Sequence, residues 1–477
     1  MSHFTRKIVA ALAAVAAAAS ITTASAANDI YVNDGGGVLG TDINSAYGVG
    51  SKGEISKVSD TYVITGNGTV KLGQASSGGI GEVTEAPFAG TVAAKNNTVK
   101  IGLFYKTASW DTTLESANLE NKIGSGYEFG YYDSDRIFHG ISSTNQTKLT
   151  MKPTGTGKEV SVYITGTDTV LYTHTDGSYN LAIRPISNSG KAVTWFKGYT
   201  YYGGFEYNRY LSDRLTVINV LNVEDYVKGV VPYEMSGNWP LETLKAGAIA
   251  ARNYVKYSMG KYSSYGFDIV NTASDQVYRG TISATSLTDA ACDATVNQYM
   301  TYNGAICCAF YYAANGGASE DSENVFLNAL GYCRAKQDPF ESTIDFYCKN
   351  WSKTFTTAEI SEKLAYYNLS TIRSITTEET KAGNVIRVNV VDVNGKQSSF
   401  SRSSCLSFLS RLGFPYTSMK FSVDYNSQTD TYTITGGGAG HNVGMSQWGA
   451  YAMGKLGYNY RQILGFYYTG VAISTGA

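Results

Sequence analysis

The feature of this sequence that most constrains its fold is one amphipathic helix near the middle of the chain. Apolar side chains recur there at steps of three and four residues, which predicts a helix with a single buried stripe. The stripe consists of Leu241, Leu244, Ala248, Ala251, Val255 and Met259. Asn238 is the expected N-cap, Pro240 falls within the first turn, and Gly260 ends the helix. Small residues at 246–248 and 250–251 let another backbone approach closely, so we predict a central, tightly packed helix.

The pattern of the chain changes along its length. Residues 27–85 form a poorly defined leader, and residues 86–195 contain short runs bounded by turn signals, which are typical of strands. Residues 196–472 mix such runs with the central helix and with a final helix at about 446–456. A hairpin is expected to turn at Asn303-Gly304. The sequence therefore predicts an α+β fold, in which a β-rich N-terminal region precedes a mixed α/β domain.

The charge balance excludes one class of partner. The 477 residues include 38 Lys and Arg against 39 Asp and Glu, which gives a formal net charge of −1 at pH 7. Nucleic-acid binding requires a surplus of basic side chains and is disfavoured. Charged residues make up only 16% of the chain, where about 25% is usual. The surface must therefore be polar without being charged, which suits an uncharged ligand.

The first 26 residues are predicted to be a secretory signal peptide. Arg6 and Lys7 precede twelve apolar residues at 8–19, and the small side chains at 24–26 have the spacing that a signal peptidase accepts. An uncleaved anchor is the alternative, but this run is shorter than the roughly 18 residues that span a bilayer. We expect cleavage after Ala26, secretion, and no membrane contact after cleavage.

The cysteines and histidines limit the chemistry that is available. All six cysteines lie between Cys292 and Cys405, and secretion would permit disulfides. Cys333 with Cys348 is the best candidate pair, and reduced core thiols are the alternative. A zinc site is disfavoured because no histidine lies between His174 and His441. We expect no metal and no other cofactor.

One carboxylate is a candidate catalytic acid. Glu234 lies between a predicted strand and the central helix, and Pro232 is expected to hold Val231 extended. Its expected apolar neighbours are Tyr233, Met235 and Trp239. Apolar surroundings raise the pKa of a Glu and keep it protonated near neutral pH. A lone acid suits cleavage of a glycosidic bond, while a solvated loop Glu, or one that only complements the helix dipole, is the alternative.

A Gly-rich loop at 436–449 carries three candidate ligand-binding residues. It brings His441, Ser446 and Gln447 to a helix N-terminus, whose free N–H groups can meet a polar ligand. We expect these side chains to contact a substrate, and a purely structural loop is the alternative. Ser446 is disfavoured as a nucleophile because the sequence around it departs from the G-x-S-x-G pattern.

An extended segment at 272–280 carries two more candidates. Gln276 and Tyr278 fall on the same side of it by the two-residue period of a strand. An amide and a phenol can bond to and stack on a sugar, although such a pair is common in secreted β proteins.

Five segments together resemble the family of stage II sporulation protein D, also called the SpoIID/LytB domain. They are VEDYVKGVVPYEM at 223–235, WPLETLKAGAIAARNY at 239–254, DQVYRG at 275–280, ANGGASE at 314–320 and GHNVGMSQWGA at 440–450. Their order and spacing agree with the family's, and the resemblance covers about residues 200 to 470.

The resemblance implies a lytic transglycosylase with a substrate groove, which cleaves peptidoglycan between MurNAc and GlcNAc and leaves 1,6-anhydro ends. Glu234 would be its catalytic acid, and Gln276, Tyr278, His441, Ser446 and Gln447 would line the groove by motif position. The family prefers glycan strands stripped of peptide by an amidase, so strands and a cell-wall amidase are the implied partners. The zinc site of some members is not implied here, because the Asn-Gly-Gly segment lacks a nearby His.

Two other functions fit the same residues. A non-catalytic glycan binder or amidase modifier would retain the groove without the chemistry, and some relatives are described in this way. An ordinary glycoside hydrolase would pair Glu234 with Asp321 or Glu320 as a second carboxylate. The role of residues 27–195 is not predicted by the sequence, and neither is a sporulation as opposed to a vegetative role.

Overall fold

The structure is a computed structural model that describes a defined part of the chain. It covers residues 54–58, 61–65, 70–72, 83–84 and 97–475, except for 176, 188–189 and 210–212. The predicted signal peptide at 1–26 lies outside the described residues. Within them, no helix is both long enough and apolar enough to cross a membrane.

The chain divides into two compact units. Among the described residues, those within 85–308 and 473–477 form the first, which we call the Glu234 unit, and those within 1–84 and 309–472 form the second, which we call the His441 unit. In the leader part of the His441 unit, β1 (Glu54–Val58), β2 (Thr61–Thr65) and β3 (Val70–Leu72) make a three-stranded antiparallel sheet.

Two sheets dominate the Glu234 unit, which confirms the β-rich N-terminal region. Their strands up to the first helix are β4 (Thr98–Phe104), β5 (Ala117–Glu120), β6 (Gly126–Tyr132), β7 (Phe138–Thr144), β8 (Lys148–Pro153), β9 (Val160–Ile164), β10 (Val170–His174), β11 (Leu181–Ile186), β12 (Thr194–Phe196), β13 (Tyr199–Tyr201), β14 (Gly204–Asn208) and β15 (Thr216–Asn222). A six-stranded sheet has the order β10-β9-β8-β5-β12-β13. The second sheet of this unit is larger, and in it β11, which ends before residue 195, pairs with β14, which begins after it.

Two helices follow directly after β15, and their bounds differ in part from the prediction. Helix α1 (Val223–Glu234) begins at Asn222, whose side chain accepts a hydrogen bond from the Glu224 N–H. Pro232 lies inside this helix, so Val231 is helical and the extended approach to Glu234 predicted from Pro232 is wrong. The valine-rich run resembles a strand in sequence, but the Asn222 cap and the buried apolar face stabilise a helix.

Helix α2 (Leu241–Ser258) confirms the central, tightly packed helix. Pro240 rather than Asn238 occupies the N-cap position and makes no side-chain cap bond. Leu244, Ala248 and Val255 of the predicted stripe are buried, whereas Leu241 at the helix start remains 36% exposed. Gly247 allows the predicted close approach of another part of the chain, because a Cβ at this position would lie only 2.5 Å from the Met235 sulfur.

The rest of the Glu234 unit completes its larger sheet and adds a small one. The remaining elements are β16 (Ile269–Val270), α3 (Ser286–Asp293), β17 (Gln298–Tyr302) and β18 (Ala305–Ile306). β16 completes a seven-stranded sheet of order β16-β4-β15-β14-β11-β6-β7. The β17–β18 hairpin turns at Asn303 (φ 51°) and Gly304 (φ 79°), as predicted, because both positions take the left-handed conformation of a two-residue turn.

The His441 unit carries shorter sheets and several helices. Its elements are β19 (Tyr311–Tyr312), α4 (Ser322–Val325), β20 (Trp351–Thr356), α5 (Thr357–Leu364), β21 (Ile372–Glu379), β22 (Val385–Asp392), β23 (Gln397–Ser401), α6 (Ser404–Leu412), β24 (Phe421–Asn426), β25 (Thr431–Gly436), β26 (Met445–Ser446), α7 (Gln447–Lys455) and α8 (Tyr460–Tyr467). The final helix is confirmed as α7. Strand β27 (Ala472–Thr475) returns the chain to β17 of the Glu234 unit.

The cysteines do not form the candidate disulfide. Neither Cys333 nor Cys348 forms a disulfide bond, and both are buried, as are the other four cysteines. The alternative of reduced core thiols is therefore the one that the structure shows. Burial raises the pKa of Cys292 and Cys307 to about 12, which keeps both thiols protonated and unreactive at neutral pH.

Candidate functional site

Glu234 is the last residue of α1, where its carboxylate is partly exposed to solvent. The backbone N–H of Val277 donates a hydrogen bond of 2.7 Å to Glu234 Oε1. This contact joins the helix end to the extended segment that follows the turn at 272–275. A backbone donor of this kind orients the carboxyl of a partly exposed residue, and a catalytic acid must be oriented toward the proton acceptor.

A buried hydrogen bond anchors the segment that holds Glu234. The Tyr226 hydroxyl, two turns before Glu234 on α1, donates to Gln276 Oε1 at 3.1 Å. The Gln276 amide also donates to the Ala251 carbonyl of α2 at 3.4 Å. Gln276 therefore ties both helices to the residue directly before Val277.

Tyr278 anchors the same segment on the other side of Val277. Its hydroxyl donates to Asn219 Oδ1 of β15 at 2.7 Å, and its ring centroid lies 5.0 Å from that of Tyr226. The ring fits against α1 because residue 229 is glycine: a Cβ there would lie 2.4 Å from the Tyr278 ring. Val277 is thus held between two buried anchors.

The structure corrects the predicted surroundings of Gln276 and Tyr278. The two side chains do face the same side, since both contact Tyr226. That side is the core rather than a groove, because both are 0% exposed. In this conformation they cannot stack on a sugar, and their contacts instead position Val277 beside Glu234.

Helix α2 adds an ion pair that orients α1. The Arg252 guanidinium is fully buried and binds both carboxylate oxygens of Glu224, at 2.8 and 2.6 Å. Asn253 next to it exchanges hydrogen bonds with the backbone of Met300, at 2.7 and 2.8 Å. A bidentate pair restrains both partners, so Arg252 fixes the start of the helix that ends at Glu234.

The predicted apolar neighbours of Glu234 have different surroundings from one another. Met235 is buried against Gly247, and Trp239 is 9% exposed. Tyr233 is partly exposed; burial raises the pKa of its hydroxyl, and a hydrogen bond with Ser283 opposes that rise. Tyr233 therefore gives the surface beside Glu234 an aromatic ring with a polar end.

In the His441 unit, His441 is enclosed by aromatic rings. The centroids of Tyr312 and Phe326 each lie 5.3 Å from its ring, edge to face. Burial lowers the pKa of His441 to about 4, although a backbone hydrogen bond at Tyr311 opposes this shift. The Val443 N–H donates to Nδ1 at 3.1 Å, so neutral His441 carries its proton on Nε2.

Ser446 and Gln447, which were predicted to contact substrate, are buried, whereas His441 is partly exposed. Ser446 is 0% exposed and caps α7 by accepting from the Gly449 N–H at 3.0 Å. Its hydroxyl donates to Glu341 Oε1 at 2.5 Å. Gln447 is 7% exposed in the first turn of α7. Ser446 therefore faces the interior of this unit, where its hydroxyl contacts a buried carboxylate.

That carboxylate belongs to a buried pair that sequence reasoning missed. Glu341 also accepts from the Asn315 and Gly316 N–H groups, at 2.7 and 2.9 Å. Asp338 accepts from Tyr467 and from the Asn315 amide, each at 2.8 Å. Burial and the charge of Asp338 raise the pKa of Glu341 to about 8. The polar run 336–345 gave no signal of this, because it reads as a solvated loop.

Glu320, a possible second carboxylate for hydrolysis, is 1% exposed. Its Oε2 accepts from Thr380 and Asn384, at 2.6 and 3.0 Å, and its Oε1 accepts from Asn324 at 2.9 Å. Asp321 is partly exposed and pairs with Arg334 at 3.5 Å. Both carboxylates are engaged with side chains of their own unit. Over the described residues, no group of three or more His, Cys, Asp or Glu side chains is placed to hold a metal ion.

Comparison with known proteins places these features in one family. The family described as "Stage II sporulation protein" (SpoIID) matches residues 211–302, which include α1, α2 and the segment at 275–280. Stage II sporulation protein D of Bacillus subtilis is 32% identical over 270 residues, which cover 53% of this chain and 74% of that protein. An uncharacterized protein of Brachyspira hyodysenteriae is 33% identical over 290 residues, 58% of this chain and 73% of the other.

One further relative has a different name. The amidase enhancer of Bacillus subtilis is 30% identical over 295 residues. The match covers 52% of this chain but only 40% of that protein.

Proposed function

The chain belongs to the stage II sporulation protein D family, and from this premise we propose that it is a cell-wall enzyme, a lytic transglycosylase of peptidoglycan. Its substrate would be the glycan strand, cut between MurNAc and GlcNAc, and preferably a strand already stripped of peptide. Residues 196–472 would form the catalytic domain, in a protein secreted after cleavage at Ala26.

The observation that carries this proposal is the carboxyl of Glu234, which accepts a hydrogen bond from the Val277 N–H on a partly exposed residue. A hydrolase needs a second carboxylate to activate water, whereas a lytic transglycosylase needs only one group that gives and then takes a proton.

The chemistry conserves atoms without added water. Protonated Glu234 would donate its proton to the bridging oxygen as the bond from that oxygen to C1 of the muramic sugar breaks. The resulting carboxylate would accept the proton of the C6 hydroxyl, whose oxygen bonds to C1. The products are a free 4-hydroxyl and a 1,6-anhydro ring, and Glu234 ends protonated as it began.

A second candidate function is a non-catalytic binder that assists a cell-wall amidase. The observation in its favour is the match to the amidase enhancer, which is 30% identical. This role would keep the partly exposed surface around Glu234 but would not require its proton.

The test is to incubate the full mature chain with peptide-free glycan strands and to identify the products by mass spectrometry. We expect 1,6-anhydro ends, and a fall of at least about 10³-fold in their rate of formation in Glu234→Gln, which keeps the shape but loses the acid. Reducing ends would indicate hydrolysis. Binding of strands by the wild-type chain with no cleavage would support the amidase-assisting role and contradict the enzyme.

A further inference from the structure

Arg279 lies two residues beyond Val277 on the segment that holds Glu234. Gln276 and Tyr278 face the core, so Val277 and Arg279 lie on the opposite side of this extended segment, roughly 7 Å apart along the backbone. The following residue, Gly280, pairs with Thr200 of β13. This pairing holds Arg279 beside the strand.

The Arg279 guanidinium lies among tyrosines, one of which is the residue directly before Glu234. Its Cζ is 6.0 Å from the ring centroid of Tyr199. It is also near Tyr233, the residue directly before Glu234: burial raises the pKa of the Tyr233 hydroxyl, and the positive charge of Arg279 opposes that rise. A cation and two partly exposed tyrosines therefore lie together, on the segment that follows Val277 and at the end of the helix that carries Glu234.

Part of the Arg279 guanidinium is available to a ligand. Nη1 donates to the carbonyl oxygens of Asn271 and Tyr278, at 3.1 and 3.4 Å. Within the described residues, Nε and Nη2 have no acceptor, and no carboxylate lies within 4 Å of the guanidinium. Arg252, by contrast, is fully buried and paired with Glu224. A partly exposed guanidinium with two free donors fits a planar anion such as a carboxylate.

We infer that Arg279 binds the lactyl carboxylate of a muramic acid residue, and so selects glycan strands from which the peptide has been removed. This rests on the proposed function, which supplies the glycan strand as ligand. The lactyl group is the acidic substituent of the strand. It is an anion only when no peptide is attached, because the peptide converts it to a neutral amide.

An amide hydrolysis must supply this substrate. Hydrolysis of the amide between the lactyl carboxyl and the first amino acid adds one water. It releases the peptide with a free amine and leaves the carboxylate that Arg279 recognises. The peptide-free strand is therefore not a neutral ligand, and the Arg279 cation would distinguish a free lactyl carboxylate from an amide at the same position.

The experiment measures the affinity of full-length Glu234→Gln, which binds without cutting, for two forms of peptide-free strand. One form carries free lactyl carboxylates, and in the other these are converted to primary amides, which removes the charge with almost no change of shape. Glu234→Gln/Arg279→Gln is compared with Glu234→Gln. The matched control is Glu234→Gln/Arg373→Gln, which removes one exposed positive charge from the His441 unit.

We expect Arg279→Gln to weaken binding of the free-acid strand by about 10- to 100-fold, the range for a hydrogen bond between charged groups. Amidation should weaken binding by a similar factor when Arg279 is present and should have little effect when it is absent. The Arg373 variant should bind both forms as Glu234→Gln does. Arg279→Lys keeps the charge without the paired donors, so it should regain only part of the affinity.

The inference would be overturned if Arg279→Gln weakened binding of both forms of strand equally. It would also be overturned if amidation did not change the affinity of the protein that retains Arg279. The amidation comparison requires no substitution at 279, so it stands even if Arg279→Gln folds poorly. If the wild-type chain fails to cleave strands but shows this charge-dependent binding, the proposed enzyme fails and the Arg279 site stands. If the wild-type chain cleaves strands equally well with and without amidated lactyl groups, the proposed enzyme stands and the Arg279 site fails.

Discussion

The Glu234 unit and the His441 unit use the residues of their family motifs in opposite ways. In the first, the buried motif residues Gln276 and Tyr278 hold a backbone N–H against a carboxyl that is partly exposed. In the second, the motif residue Ser446 turns inward and donates to the buried Glu341. One unit presents an acid to solvent, and the other encloses one.

The difference shows that a polar motif residue can serve a site without touching a ligand. Ser446 caps a helix and so stabilises the loop in which it occurs, whereas His441 packs against aromatic rings and remains partly exposed. Gln276 acts one step closer to the chemistry, because the next N–H along the chain contacts Glu234. Substitutions should separate these roles. Those in the His441 unit should lower the free energy of unfolding, and those in the Glu234 unit should lower the rate of strand cleavage.

The largest effect on stability is expected from Ser446→Ala. This change removes both the cap of α7 and a donor to the buried Glu341. We expect a loss of about 2–3 kcal/mol in the free energy of unfolding, measured by urea denaturation. Thr356→Ala is the matched control, because Thr356 caps α5 without a buried carboxylate partner and should cost only about 1 kcal/mol.

The alternative is that Ser446 contacts the ligand, in which case the two units do not differ in the way described above. Ser446→Ala would then leave the unfolding free energy close to that of Thr356→Ala, and it would instead raise the Kd for glycan strands. Measuring both quantities on the same preparations distinguishes the two roles.

The sequence predicted the fold class, α2, the hairpin at Asn303-Gly304 and α7, because each has a local signal in periodicity or turn residues. It placed Gln276 and Tyr278 correctly on one side of their segment, since the two-residue period is local too. It did not predict which side is buried, because that depends on Tyr226 and Asn219, more than 40 residues away in sequence. The Glu341–Asp338 pair was missed for the same reason: its donors come from Asn315, Ser446 and Tyr467.

A smaller effect is expected from pH, and it should arise in the His441 unit. Glu341 in the native state keeps its proton up to about pH 8, whereas an unfolded Glu loses it near pH 4.5. The native state therefore binds more protons between these values, and stability falls as the pH rises through this window. From pH 7 to pH 8 we expect a loss of about 1 kcal/mol in wild type.

Glu341→Gln isolates this contribution, because the amide keeps the shape and does not titrate. The difference in unfolding free energy between wild type and Glu341→Gln should decrease from pH 7 to pH 8. His441 acts in the opposite direction and at lower pH: its native pKa of about 4 lies below the ordinary value of 6.5, so stability falls as the pH drops from 6.5 to 4. A difference that is flat above pH 7 would contradict the proton assigned to Glu341.

The smallest change in stability, combined with a change in rate, is expected from Tyr226→Phe in the Glu234 unit. The substitution removes the hydroxyl that donates to Gln276 and so loosens the anchor of the Val277 N–H. We expect about 1 kcal/mol less stability and a kcat for strand cleavage about tenfold lower, with KM little changed, because orientation of the acid is impaired rather than binding. Tyr207→Phe is the matched control: Tyr207 is equally buried in β14, and its hydroxyl has no partner among the described residues, so neither quantity should fall. If the two variants lower kcat equally, buried tyrosines of this unit act on the rate only through general stability.

The alternative outcome is that only Tyr226→Phe lowers kcat. Its pH–rate profile should then also move to higher pH, because the carboxylate has lost part of its hydrogen-bond donor. Together these two results would show that the buried motif of this unit controls the chemistry of Glu234.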